Sequence, residues 1–178
     1  THNGEEKICA EAHQKLKKKY KKLLTVIIPR HVHRVNDIYK EILDMGFKVQ
    51  IHSKKNKIKK DTDIYLVDTY GETKSFFKIC NTVFLGGSIV NHGGQNPLEP
   101  ARFGCKILHG PNIQNFTEVY RLLNKENLSF KFYNTNQLAK SVNQSLNQNI
   151  NFSKKITKLK KIGSNILNHT STEINCFL

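Results

Sequence analysis

Six short apolar runs, five of them followed by a stretch with helical spacing, limit what this chain can fold into. The runs are Leu23–Ile28, Phe47–Ile51, the IYLV inside 63–68, Thr82–Leu85, Lys106–Leu108 and Phe130–Tyr133. Each has the length of a buried strand and none has the length of a helix. Between them, side chains recur every three or four residues: Ile8, Ala12, Leu16 and Tyr20; Val35, Ile38, Tyr39, Ile42 and Leu43; Phe116, Val119, Tyr120 and Leu123; Leu138, Val142 and Leu146. Residues 72–80 and Pro97–Phe103 read as shorter helices, and Gly46 and Gly104 stand where helices stop. Strand and helix in strict alternation predict an α/β fold: a Rossmann-like, doubly wound, parallel six-stranded sheet with helices on both faces. The usual order 3-2-1-4-5-6 would make the first and fourth strands neighbours and open a crevice beyond their C-terminal ends.

The chain has 178 residues, enough for one full-sized core, and 38% of them are hydrophobic, which excludes a disordered composition. Its 29 Lys and Arg against 14 Asp and Glu give a net charge of +15, which favours an anionic partner. Cys9, Cys80, Cys105 and Cys176 form no metal-ligand spacing and read as reduced thiols. No His or Cys cluster suggests a metal. No apolar run reaches the ~18–20 residues that span a bilayer. The chain lacks an initiator Met and reads as a piece of a longer protein, with a nucleotide-binding domain at 1–149 and a basic helix or tail at 150–178.

The loops beyond strands one and four carry the candidate chemistry. Arg30 can clamp a phosphate with two parallel hydrogen bonds, or be a surface loop arginine. Gly86-Gly87-Ser88 lets backbone N–H groups approach a phosphate, or simply makes a tight strand exit. Asn96, Pro97 and Glu99 form a capping-box arrangement at a helix start, where a carboxylate can also hold two ribose hydroxyls. Thr69 with Glu72, Asn115 with Glu118, and Asn3 with Glu6 repeat that arrangement. Of the eight histidines, His31 and His92 lie in these loops; His2, His13, His33, His52 and His169 read as surface residues. The absence of GxGxxG after strand one argues against an ordinary NAD site.

THNGEE (1–6), IIPRH (27–31), DTYGE (68–72), FLGGS (84–88), HGGQNPLEPARFG (92–104) and HGPNIQNF (109–116) occur in an order and spacing that resemble the 3-deoxy-D-manno-octulosonic acid (Kdo) transferases of Gram-negative bacteria. The resemblance covers roughly residues 1–125. It implies the C-terminal, donor-binding half of a GT-B type glycosyltransferase that moves Kdo from CMP-Kdo to a lipid A precursor, with inversion, in lipopolysaccharide synthesis. It implies a nucleotide pocket of Arg30, His31, Gly71, Glu72, Gly87, Ser88, Asn96 and Glu99. Arg30 and the Gly87-Ser88 N–H groups would stabilise the leaving phosphate, with no metal and no cofactor. The catalytic base would belong to an N-terminal domain outside this chain. The implied partners are that domain, CMP-Kdo, the lipid acceptor and an anionic membrane surface at the cytoplasmic face of the inner membrane. The Lys runs at 15–22, 54–60 and 154–161 suit such a surface. A transferase using a UDP-sugar and a basic nucleic-acid-binding domain are the rival readings. Aromatic interleaving is sparse and no nucleic-acid motif is present, so nucleic acid is not the expected partner.

Overall fold

The computed structural model describes residues 1–147 together with Thr157, Ser164 and Thr172. The basic helix or tail expected at 150–178, and with it the expected domain boundary, lies outside the described residues. The order of elements is α1 (Glu5–Lys17), β1 (Thr25–Ile27), α2 (Val35–Asp44), β2 (Val49–Ile51), β3 (Ile64–Leu66), α3 (Thr73–Ile79), β4 (Thr82–Leu85), α4 (Leu98–Arg102), β5 (Lys106–His109), α5 (Thr117–Lys125), β6 (Ser129–Lys131) and α6 (Thr135–Leu146). All six strands fall where the apolar runs put them, and every strand pair is parallel.

The pairing differs from expectation in two ways. The strands form two three-stranded sheets, β1-β3-β2 and β4-β5-β6, and β1 does not bond to β4. The neighbour of β1 is β3, because Ile64, Tyr65 and Leu66 pair with Thr25, Val26 and Ile27 on one side and with Val49, Gln50 and Ile51 on the other. Strand β3 is wholly buried and earns its central place by composition, as Ile64, Leu66 and Val67 have no exposed surface. In the second sheet β5 has that role, with Ile107 and Leu108 fully buried.

The helices cover these sheets with the faces their spacing dictates. Val35, Ile38 and Ile42 of α2 pack with Ile27, Ile64 and Leu66. Tyr120 and Leu123 of α5 pack with Leu85, Ile107 and Leu128. Ala12 and Leu16 of α1 and Leu138 and Ala139 of α6 meet over Leu108 and Phe132. Helix α6 starts at a formed cap: the Asn134 side chain accepts from the Gln137 N–H, and Gln137 in turn accepts from the Tyr133 N–H. The caps expected at Asn3, Thr69 and Asn115 do not form, since α1, α3 and α5 have no side-chain cap. Longer-range partners take two of the three side chains. Asn3 accepts from Arg34, and Asn115 donates to the His92 carbonyl.

His13, expected at the surface, is buried inside α1, 2.9 Å from Thr25 Oγ1 and 3.5 Å from Asp63 Oδ1. His109 is also buried, with Nδ1 2.7 Å from the Gly110 carbonyl. Burial lowers the pKa of both imidazoles below the ordinary histidine value. Both are therefore neutral in the fold, while the unfolded chain takes up protons near pH ~6.5. Their contribution is fully present above that pH and is lost as pH falls through the folded values. The urea midpoint should accordingly drop between pH 7.5 and 5.5, and a flat profile across that window contradicts this account. Leu108→Ala removes a fully buried side chain from β5, and should cost about 2–5 kcal/mol in the same denaturation experiment.

Candidate functional site

The loops that follow β1, β3 and β4 meet at one end of the fold, and the segment before α1 joins them there. The Thr1 nitrogen donates to the Ile28 carbonyl and the Arg30 N–H donates to the Thr1 carbonyl, each at 2.8 Å. From that seam the chain turns through His2 and Gly4 into α1, and Gly4 adopts the left-handed conformation at φ 86°.

Glu5 then fixes the loop after β4. Its buried carboxylate accepts from the N–H groups of Gly87 at 2.9 Å, Ser88 at 3.2 Å and Ile89 at 3.1 Å, and from the His2 N–H at 2.8 Å. Successive amides pointing at one centre make an anion nest. The positive φ of Gly87 (69°) lets the backbone turn them inward. The Gly87 and Ser88 N–H groups, expected to meet a phosphate, are therefore directed at a carboxylate of the chain itself. The Ser88 hydroxyl is also internal, donating to the Leu85 carbonyl and accepting from the Gly110 N–H. No ligand is needed to satisfy Ser88. Glu6, the next residue, is buried as well and pairs with Arg34 Nη1 at 3.2 Å while accepting from the Thr1 hydroxyl.

Around this plug stand the remaining candidates. Arg30 and His31 are exposed beyond β1, and the Arg30 guanidinium has no hydrogen bond or ion pair among the described residues. The His2 ring stacks on His92 at 4.4 Å between centroids and meets His31 edge-on at 6.1 Å. Gln95 Nε2 lies 3.5 Å from His2 Nε2. Burial, with His92 adding to it, lowers the His2 pKa. Gly87 lies directly beneath this stack, since a Cβ there would come within 3.3 Å of the His2 ring. Gly71 is exposed in the left-handed region at φ 85°, just before α3.

Glu99 sits at the start of α4, partly exposed, with its carboxylate 3.9 Å from Lys74 on the first turn of α3. It does not close a capping box. Asn96 caps α4 alone, accepting from the Leu98 N–H at 3.0 Å. The Glu99 carboxylate thus remains able to accept from hydroxyl groups. Glu72 points elsewhere, toward His52 at 3.9 Å. His52, also expected at the surface, lies half-buried beside Tyr65 and Phe76. The fold sets Arg30, His31 and Gly87 against the Thr1–Glu5 turn, Gly71 just before α3, Asn96 at the start of α4 and Glu99 beside Lys74 of α3. Glu5 and His2 are the site residues that the sequence reading passed over. Among the described residues no group of three or more His, Cys, Asp or Glu side chains could hold a metal ion.

Glu5→Gln replaces a charged acceptor of several N–H groups with an amide whose NH2 faces donors. We expect a stability loss on the order of 1–3 kcal/mol, with faster amide exchange at Gly87, Ser88 and Ile89 than elsewhere. Unchanged exchange at those three residues contradicts the role given to Glu5.

Similar proteins bear on this geometry. No family model matches the chain. The 3-deoxy-D-manno-octulosonic acid transferase of Haemophilus influenzae is 37% identical over 123 residues, which is 69% of this chain and 29% of that protein. The enzyme of the same name from Aquifex aeolicus is 30% identical over 145 residues, 82% of this chain and 40% of that protein. The chain thus spans well under half the length of these curated relatives. Among solved structures, the C-terminal CMP-Kdo binding domain of WaaA from Acinetobacter baumannii superposes with a TM-score of 0.82 at 24% identity, covering 91% of this chain and 84% of that one, a likeness of fold. Sequence kinship and shared architecture together place the chain in the family of the 3-deoxy-D-manno-octulosonic acid transferases.

Proposed function

We propose that this chain is the donor-binding part of a glycosyltransferase that moves Kdo from CMP-Kdo to a lipid A precursor. The observation that carries the reading is the kinship with the Haemophilus enzyme over 123 residues. The open Arg30 guanidinium and the partly exposed Glu99 carboxylate at the same end of the fold support it.

In this reading the CMP phosphate meets Arg30, and the adjacent rings of His31 and His2 supply further donors. Glu99 accepts the ribose hydroxyls, and Asn96 holds the α4 start that presents it. Gly71 leaves room for the nucleotide to lie against the backbone before α3. Glu72, turned toward His52, orients that turn. Gly87 and Ser88 contribute indirectly, as the loop that Glu5 holds in shape under the His2–His92 stack.

Departure of CMP leaves negative charge on its phosphate and makes an oxocarbenium-like sugar. A guanidinium placed at that phosphate stabilises the charge as it develops. The acceptor hydroxyl must lose its proton to a base, which we assign to a second domain outside this chain. Closing that domain over the donor would orient the reactants and exclude water. The lipid acceptor places the reaction at a membrane surface, for which the Lys-rich runs at 15–22 and 54–60 are suited by charge. No helix among the described residues is long and apolar enough to cross a membrane.

Calorimetry with CMP tests this reading. The wild-type chain should bind CMP more tightly than UDP. Arg30→Ala should weaken CMP at least tenfold with little change in the urea midpoint, because Arg30 is exposed. Glu99→Gln should weaken CMP more than its 2′,3′-dideoxy analogue. Equal affinity for CMP and UDP, or variants as tight as wild type, would contradict the assignment.

A further inference from the structure

The stretch HGPNIQNF (109–116) contributes no group to the proposed nucleotide pocket, yet it lies against a loop that carries part of the rim. Strands β4 and β5 pair in parallel up to Leu85 opposite His109, and beyond that pair the two chains go on side by side. The backbone ladder ends there because the first chain stops being extended: Gly87, Gly93 and Gly94 all have left-handed φ, at 69°, 77° and 78°. The carbonyls of that loop then need donors from elsewhere.

Side-chain amides of the loop after β5 supply them. Asn112 Nδ2 donates to the Ile89 carbonyl at 3.0 Å, Gln114 Nε2 to Asn91 Oδ1 at 3.4 Å and Asn115 Nδ2 to the His92 carbonyl at 3.2 Å. Each bond spans 23 residues, so the two loops run in a single register. Every acceptor is a carbonyl oxygen, which fixes the NH2 side of each amide toward its partner. Backbone bonds flank the three, from the Asn112 N–H to the Ser88 carbonyl at 2.9 Å and from the Asn115 N–H to the Gly93 carbonyl at 3.1 Å. The approach is close enough to require a glycine, since a Cβ on Gly93 would stand 2.5 Å from Asn115 Nδ2.

The inner part of the loop has other supports. Glu5 holds Gly87–Ile89, and the Gly94 N–H closes the neck on the Gly87 carbonyl at 2.9 Å. For the outer part, Asn91–Gly93, the hydrogen bonds to other elements among the described residues come from Gln114 and Asn115. That outer part carries the exposed His92, whose ring stacks on His2 at 4.4 Å. A single ring pair is a weak contact and does not by itself place an exposed loop. His2 is fixed by its N–H bond to Glu5, and His92 by the amides behind it. We propose that Asn112, Gln114 and Asn115 are positioning residues for the nucleotide: they clamp the 88–93 loop so that His92 stacks on His2 and holds that ring beside Arg30. The inference rests on the nucleotide reading of the rim, and the three residues act through other side chains. A rim ordered in advance loses less freedom when the ligand arrives. Gln114 and Asn115 are exposed, so releasing the clamp should weaken binding without opening the core.

Asn115→Ala and the double variant Gln114→Ala/Asn115→Ala remove the outer amides, and Gly93→Ala forces the same contact apart from the opposite loop. Each is compared with wild type by urea midpoint, by NMR titration of the His2 ring without ligand, and by calorimetry with CMP. In wild type, burial and the neighbouring His92 lower the His2 pKa; Glu5, the Thr1 amino group and His31 also act on it. Freed of the stack, His2 should titrate at higher pH and lose the ring-current shift from His92 in all three variants. CMP should bind about fivefold more weakly or worse, while the urea midpoints of the Asn115→Ala and double variants match wild type. An unmoved His2 titration overturns the proposal even if CMP binding weakens, because the loss then does not pass through the rings. Variants that bind CMP as tightly as a wild type that binds it overturn the proposal as well. A wild-type chain that binds no CMP overturns the nucleotide reading instead, and the His2 titration then still decides whether the three amides hold the ring stack.

Discussion

The fold of this end of the molecule hangs on one carboxylate. Glu5, buried at the first turn of α1, is held by three successive N–H groups from the loop after β4, 82 to 84 residues away. A buried carboxylate is tolerable only where donors replace its lost water, and here the donors are a glycine-rich turn that would otherwise be short of acceptors. The contact ties α1 to β4, sets the shape of the Gly86–Ser88 loop and puts the His2 ring over Gly87. Glu6 pairs with Arg34, so consecutive acidic residues tie α1 to the loop after β4 and to the turn before α2.

This arrangement changes how an anionic ligand can be received. A loop whose amides already serve a carboxylate is a rigid floor, not an open phosphate cradle. In the proposed function binding then falls to side chains at the rim, where the Arg30 guanidinium has no hydrogen bond or ion pair among the described residues and His2 lies ring against ring with His31 and His92. On the far side, Lys74 and Glu99 face each other from the starts of α3 and α4.

Much of this was legible in the sequence, for physical reasons that also explain the rest. The strands and helices followed from hydrophobic period and run length, which are local properties. Strand order did not, since nothing in the residues of β2 or β3 says which lies beside β1; only the complete burial of Ile64, Leu66 and Val67 does. Capping was misread at Asn3 and Asn115, where a distant group takes the side chain: Arg34 for Asn3 and the His92 carbonyl for Asn115. Asn96 and Asn134 face no such competitor, and they cap. Gly86-Gly87-Ser88 reads in sequence either as room for a phosphate or as a tight strand exit, and nothing local tells that the Gly87 and Ser88 N–H groups meet a carboxylate of the chain itself. His13 reads as a surface histidine, but its position falls on the buried face of α1 with Ala12 and Leu16.

In the proposed function nucleotide is bound at the rim, by side chains, over a loop already closed by Glu5. Titration of the isotopically labelled chain with CMP, followed residue by residue by NMR, tests it most directly. Resonances of Arg30, His31, Gly71 and Glu99 should move together along one saturating curve, with the Gly87, Ser88 and Ile89 amides staying protected from exchange throughout. If CMP instead releases those three amides from Glu5, or shifts only residues remote from Arg30, the account is contradicted.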